Sequence, residues 1–308
     1  MFRLIGVPNI DFIAKRNIAF LISGVLSGIG IVALVMLMFG KGNMGIDFAG
    51  GTMVQGYYDQ AVSIDEVRSA VDKAGFSGAT IQELTGREQA SSFLVRVKET
   101  ETVNGVSAAQ RLIGALTTGF PSATFHKDSE HTIGPAVGES LRKDTFWAIV
   151  ISVLAILTYI AIRFDFRGGV AATIATFHDV LIVLGVMYLL HVEMTLLLVT
   201  ALLTLAGYSL TDTVVVYDRI RENLKKFRKK SDFVPTVNRS INETLSRTIL
   251  TASTVLLVVI VLFFFGGEVL RDFSLAMILG VAVGTYSSIF VASTIMVVWE
   301  AKSPKRFK

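Results

Sequence analysis

Cysteine is absent from the 308 residues, which excludes a disulfide framework and any thiolate metal site, and leaves the redox compartment unmarked. Charge is scarce as well: Asp, Glu, Lys and Arg make up 18% of the chain, against about 25% in an ordinary soluble domain. Catalytic signatures are missing too. No His and Cys spacing suits a metal, no phosphate loop follows a strand, and no nucleophile elbow occurs, so no enzyme chemistry and no cofactor is expected. His126 and His131 lie five residues apart and read as surface residues.

What the chain has is apolar length. Hydrophobic residues are 52% of it and the mean hydropathy is +0.60, which requires lipid as solvent. Residues 17–39 form a run that, as a helix of about 35 Å, crosses a hydrocarbon core of about 30 Å. It is too long for a signal-peptide core and no small-residue cleavage site follows, so it reads as a retained anchor. Five further runs follow, near 145–162, 168–190, 194–217, 248–266 and 273–299. Six spans place both termini on one side.

The net charge of +4 and the pI near 9.2 do not indicate nucleic acid, because the basic residues cluster beside the spans. Eighteen Lys and Arg flank the spans on one side, nine of them in the loop at 218–247. The opposite short loops hold only Arg271 as a permanent cation. By the positive-inside rule both termini are cytoplasmic. The basic run at 219–230 is read as topology and contact with anionic lipid, with docking of a cytoplasmic partner as the alternative. The division expected is an N-terminal tail and first helix over 1–40, an external domain over 41–143, and helices two to six over 144–308.

Within the external segment, residues 52–58 read as a strand, and Ser63 with Glu66 forms a capping box opening a helix that Gly75 closes. Strands at 79–84 and 92–97, a helix at 106–118 and a strand at 123–132 complete a βαββαβ order. This is the ferredoxin-like pattern, an α+β domain with two helices on one face of an antiparallel sheet. The fold alone assigns no function. The GIDFAGG stretch at 45–51, with Gly45, Asp47, Phe48, Gly50 and Gly51, reads as a turn where the chain leaves the bilayer, its glycines supplying positive φ.

Chemistry is expected inside the membrane, where ionisable groups are costly and mark pathways or relays. His178 and Asp179 fall about 16 Å into the third span. Asp212 falls in the cytoplasmic half of the fourth, between Thr211 and Thr213 and one turn from Tyr208. Arg247, opening the fifth span, is placed to meet Asp212 across a helix contact. A carboxylate alternating between an arginine and a proton is the minimum for proton coupling. A static ion pair fixing helix register, or an arginine reaching for the interface, is the alternative. Asp272 reads as an interfacial charge. Gly280 and Gly284, and in the first span Gly24 and Gly28, have the spacing that permits close helix approach.

The blocks GIDFAGG, FHD at 177–179, AGYSLTDTVVVYDRIREN at 206–223, NETLSRTILT at 242–251, FFFGG at 263–267 and VGTYSSIFVAS at 283–293 occur in an order that resembles the SecF family. The resemblance implies half of a transporter of the resistance-nodulation-division class. It implies an accessory subunit of the Sec translocase in the bacterial inner membrane, which pairs with SecD and uses the proton motive force to draw preproteins outward. It further implies Asp212 as the proton carrier, Arg247 as its partner, and Tyr208 and Thr211 along the route. The partners implied are SecD, the SecYEG channel and unfolded preprotein, with no cofactor. H⁺ is the expected coupling ion, and Na⁺ is also compatible with a carboxylate beside hydroxyls. The competing readings are half of a small-molecule exporter and a scaffold that transports nothing.

Overall fold

The structure, a computed structural model, describes residues 8–84, 91–103, 105–226 and 233–303. Among the described residues, six helical segments are long and apolar enough to cross a membrane: Ile13–Met38, Pro135–Arg163, Phe166–Leu189, Leu196–Lys226, Phe233–Phe265 and Val269–Lys302. The chain divides into two compact units. One comprises residues 44–148 with Met194–Leu196, and the other the remaining membrane segments.

The smaller unit opens with a one-turn helix α2 (Ile46–Ala49), α1 being the first span (Arg16–Met38). It continues through β1 (Gly51–Tyr58), α3 (Ile64–Lys73), β2 (Thr80–Leu84), β3 (Ser91–Val97), α4 (Ala108–Thr118) and β4 (Phe125–Ile133). The sheet is antiparallel in the order β2-β3-β1-β4, as a ferredoxin-like fold requires. Alternation along β1 and β3 sends Val54, Tyr58, Phe93 and Val95 to the face covered by Val67 and Val71 of α3 and Leu112 and Leu116 of α4. Each such side chain contributes about 1.5–3 kcal/mol on burial. The Tyr58 hydroxyl, at the bottom of this core, donates to the Leu116 carbonyl at 2.8 Å, and burial pushes its pKa up. At Gly56 the register of β1 against β4 shifts, and a Cβ there would strike the Phe125 ring and the His126 carbonyl.

Both helices of this unit begin with complete capping boxes, Ser63 with Glu66 and Ser107 with Gln110. The Glu66 carboxylate accepts from the Ser63 amide at 2.9 Å, and this bond holds its pKa below the usual carboxylate range. A depressed carboxylate contributes stability that is present above its unfolded pKa of about 4.3 and lost as pH falls through the folded value. The protection of amides in the first turn of α3, measured against their intrinsic exchange rate at each pH, is therefore expected to fall between about pH 5 and pH 3. Glu66→Gln keeps the cap and should abolish that dependence. Equal acid sensitivity in the two proteins would assign the effect elsewhere.

GIDFAGG is more than the turn expected from its glycines. Ile46–Ala49 closes a helical turn, Gly50 and Gly51 follow at φ 73° and 133°, and the Asp47 carboxylate reaches the Leu196 amide at 2.8 Å. Asp47 thus satisfies one of the free N–H groups that open the fourth-span helix. That is a positional role for the one acid in the motif. Phe48 is buried, and its carbonyl accepts from Arg142 at 2.7 Å.

In the larger unit, α6 (Phe166–Leu189), α7 (Leu196–Lys226) and the sixth span are the buried spans. α1, α5 (Pro135–Arg163) and α8 (Phe233–Phe265) leave most of their apolar surface exposed, as a lipid solvent allows. The sixth span is not one helix: α9 (Gly267–Ser287) passes through a π turn at Ser288–Ala292 into α10 (Ser293–Lys302). Helix contact follows small residues. The backbones of α1 and α6 meet at Gly30 and Gly185, where an added Cβ at either would fall on the other helix's main chain. Gly24 and Gly28, expected to serve this purpose, have nothing within 4 Å. Gly280 and Gly284 do face a neighbour, Leu205 and Ser209 of α7.

Candidate functional site

α7 buries a single stripe, Leu198, Ala201, Leu205, Ser209, Asp212, Val216, Ile220 and Asn223, at three- and four-residue spacing. Asp212 lies in that stripe, 6% exposed, and its Oδ2 is buried with no hydrogen-bond partner. Around it stand Thr248 and Arg247 of α8 and Tyr208 of α7. The Thr248 Oγ1 and the Tyr208 hydroxyl are likewise buried and unpartnered. Arg247 lies near enough for its charge to act on the carboxylate, yet its side chain is exposed, and among the described residues neither group forms an ion pair. A carboxylate under-satisfied inside a membrane span, with a cation beside it and not on it, is poised to gain or lose a proton. Thr211 does not join this group. Its side chain is exposed and its hydroxyl donates to the Gly207 carbonyl of its own helix.

A second centre forms on α6. Asp179 is 0% exposed. Its Oδ1 meets His178 Nδ1 at 2.8 Å, and its Oδ2 accepts from Ser287 Oγ of α9 at 2.6 Å and from Ser209 Oγ of α7. Three helices converge on one carboxylate. His178 and Asp179 stand out in the sequence, whereas Ser209 and Ser287 are 30 and 108 residues away from Asp179 and carry no local signal. Asp272 belongs to neither centre. It lies near the start of α9, about 22 Å along the helix from Ser287.

Four of the basic residues, Arg163, Arg167, Arg219 and Arg239, are held in ion pairs. Glu243 of α8 accepts from Arg219 at 2.6 Å and Asn223 at 2.8 Å, both on α7, and from Arg239 at 2.9 Å. Arg167 pairs with Glu300 at 2.6 Å, and Arg163 with Asp218. Arg228, Lys229 and Lys230 of the basic run, with Arg3 and the last three basic residues of the chain, lie outside the described residues. A strap of chain ahead of α1 is held on α8 by its main chain. Asn242 accepts from the Ile10 amide and Asn238 from the Phe12 amide, both at 2.9 Å, while both asparagines donate to the Ile10 carbonyl. The Tyr217 hydroxyl reaches the Ala292 carbonyl at 2.8 Å, satisfying backbone next to the π turn.

These contacts fix α7 against α8 within two turns of Asp212 and one of Arg247. Glu243→Ala leaves Arg219 and Asn223 without their shared acceptor, a loss of about 2–3 kcal/mol. The expected result is a lower thermal midpoint in detergent, with Glu243→Gln falling between the two. A midpoint unchanged in both variants would make the network ornamental.

Among the described residues no group of three or more His, Asp or Glu is arranged to hold a metal ion. His126 stacks on Tyr57, ring centroids 4.9 Å apart.

Six apolar spans among the described residues, one α+β domain between the first two and a polar centre buried in the bundle define a polytopic membrane protein with ionisable groups inside its helices. Comparison with known proteins narrows the class. Residues 114–302 match the family model "Protein export membrane protein SecD/SecF, C-terminal". Over 297 residues the chain is 47% identical to "Protein translocase subunit SecF" of Thermodesulfovibrio yellowstonii, covering 96% of each. With the protein of the same name from Vibrio alginolyticus it shares 38% over 296 residues, 96% of this chain and 91% of that one. The chain belongs to the SecD/SecF family of protein-export membrane proteins. Its fold matches the crystal structure of SecDF, a translocon-associated membrane protein from Thermus thermophilus. The TM-score is 0.81 at 37% identity, over 96% of this chain and 39% of that one. A second SecDF structure, in a super-membrane-facing form, gives 0.66 at 36% identity, over 98% of this chain and 40% of that one. The chain therefore spans about two fifths of the SecDF chains.

Proposed function

We propose that this chain is the accessory subunit of the Sec translocase that pairs with SecD in the bacterial inner membrane and converts the proton motive force into outward movement of preprotein. The observation that carries the reading is Asp212. It is a buried carboxylate in a membrane span, with an unpartnered oxygen and with Arg247 near it but not ion-paired to it. Tyr208 supplies a hydroxyl at the same place.

In this reading Asp212 takes a proton in one conformation and turns to Arg247 in another. One charge crossing about 100 mV releases roughly 2.3 kcal/mol, enough to shift a two-state equilibrium well over tenfold. The charge asymmetry of the loops supports a topology with both termini in the cytoplasm and the α+β unit outside. Unfolded preprotein leaving the SecYEG channel meets that unit, which grips extended chain with little sequence preference. The protein carries out no enzymatic reaction and uses no cofactor. H⁺ is the coupling ion.

The test is export of a preprotein into inverted membrane vesicles depleted of the native protein and resupplied with this chain and SecD. Export after the ATP-driven phase should rise on imposing a proton gradient, and only when both proteins are present. A rise with a sodium gradient alone would replace H⁺ by Na⁺. No gradient response in any arm would leave the chain a scaffold.

A further inference from the structure

The Asp179 centre is distinct from the Asp212 centre, and the geometry points to it as a second proton-holding site, with His178 Nε2 as the accepting atom and Asp179 as its fixed counter-ion. The inference rests on the reading that this protein moves protons.

An ionised carboxylate only accepts, so all three of its partners donate: His178 through Nδ1–H, and Ser209 and Ser287 through their hydroxyls. The hydrogen on Nδ1 fixes the neutral tautomer, which leaves Nε2 with its lone pair. That atom is buried and has no hydrogen-bond partner. A bare acceptor sealed in a membrane bundle is a standing cost, and a proton removes it. When Nε2 takes one, no covalent bond other than N–H forms, and the imidazolium and carboxylate together carry no net charge. The proton thus cancels the net charge that Asp179, held by three donors, carries while His178 is neutral.

On the helices packed against α6, the ionisable side chains of the described spans include Tyr208, Asp212 and Tyr217 of α7, Tyr286 of α9 and Tyr159 of α5. α1 carries none between Asn17 and Met38. The Tyr286 hydroxyl is engaged with Ser23 and the Ala19 carbonyl. Burial is the largest influence on Asp179 and disfavours its charge; the side-chain bonds from His178, Ser209 and Ser287 and the charge of His178 oppose it, so the three donors are what hold an ionised carboxylate here.

The consequence reaches Asp212 through α7. Ser209 lies three residues before Asp212 on the same buried stripe, and Gly284 lets α9 approach Ser209 closely. With neutral His178, Asp179 carries its full charge and holds both serines. With His178 protonated, the carboxylate shares its charge with the imidazolium, and its hold on Ser209 and Ser287 weakens. Occupancy of this site therefore sets how firmly the Asp212 helix is held against α6 and α9.

The chain has four histidines, so ring ¹⁵N NMR of the full-length protein in lipid nanodiscs can resolve them, with His178→Gln making the assignment. The expected spectrum at neutral pH has His178 as the Nδ1–H tautomer with an unprotonated Nε2. On acidification, Nε2 should gain a proton while the chain stays folded. In Asp179→Asn the preference for that tautomer should be lost, and with Ser209→Ala plus Ser287→Ala it should remain. An Nε2–H tautomer, or an Nε2 that never protonates before unfolding, overturns the proposal. The outcome separates from the pump reading. Titration of His178 with a full gradient response in Asp212→Asn would remove the role of Asp212 and leave this site standing. Loss of that response with a silent His178 would do the reverse.

Discussion

Asp212→Asn is expected to abolish the gradient-dependent part of preprotein export while leaving the ATP-driven part at its wild-type level. The substitution is nearly isosteric, so the buried stripe of α7 keeps its packing and the amide fits where the carboxylate was. What it removes is the ability to change charge. Asparagine is fixed in the neutral state, equivalent to an Asp212 that never releases its proton, and the two-state element then has nothing to tie it to the gradient. The response should fall at least tenfold, since a ligand-independent equilibrium shifts by nothing however steep the gradient. Assembly is the control: Asp212→Asn should co-purify with SecD as the wild type does, because no ion pair between Asp212 and Arg247 exists to be broken. A mutant that assembles and keeps its full gradient response would make Asp212 structural. Arg247→Gln removes the cation and should also abolish coupling, whereas Thr211→Ala should not, its hydroxyl being spent on its own helix.

The fold was legible where the information is local. The capping box at Ser63, the alternation of Phe93, Val95 and Val97, and the apolar runs each depend on residues within a turn or two, so the βαββαβ order and the six spans follow from the sequence. Ends were less legible. The second span was expected near 145, and its helix begins at Pro135, because hydropathy sees the lipid-soluble part and not the polar turns continuing it. The site divides the same way. An acid in an apolar run is visible, so Asp212 and Asp179 stand out. Convergence is not visible: nothing near Ser209 or Ser287 announces that both donate to Asp179. Nor does Asn242 announce that it holds the main chain of Ile10, 232 residues away.

Gly30→Leu is expected to disable the protein by a different route, and Gly28→Leu, two residues earlier on the same helix, to leave it nearly unchanged. A Cβ at Gly30 would land on the main-chain carbonyl of Leu181, and one at Gly185 on the backbone of Gly30. Main chain inside a helix does not yield by a rotamer change, so α1 and α6 must separate along the seam. In lipid no hydrophobic force pushes them back, since association rests on close packing. The Ser23 to Tyr286 contact across α1 and α9 would stretch with it. The cost is about 3 kcal/mol or more, at the upper end for overpacked cores. Around Gly28 a Cβ would have nothing within 4 Å, so an added side chain starts into open space. The readout is the thermal midpoint of the purified protein and its steady-state level in membranes. Gly30→Leu should be low on both and Gly28→Leu close to wild type, with Gly30→Ala between them. Equal levels for the two leucine variants would mean that α1 is held by something other than this seam. In that case the GxxxG spacing of Gly24 and Gly28, idle in this structure, would have to be the contact that matters in the assembled translocase.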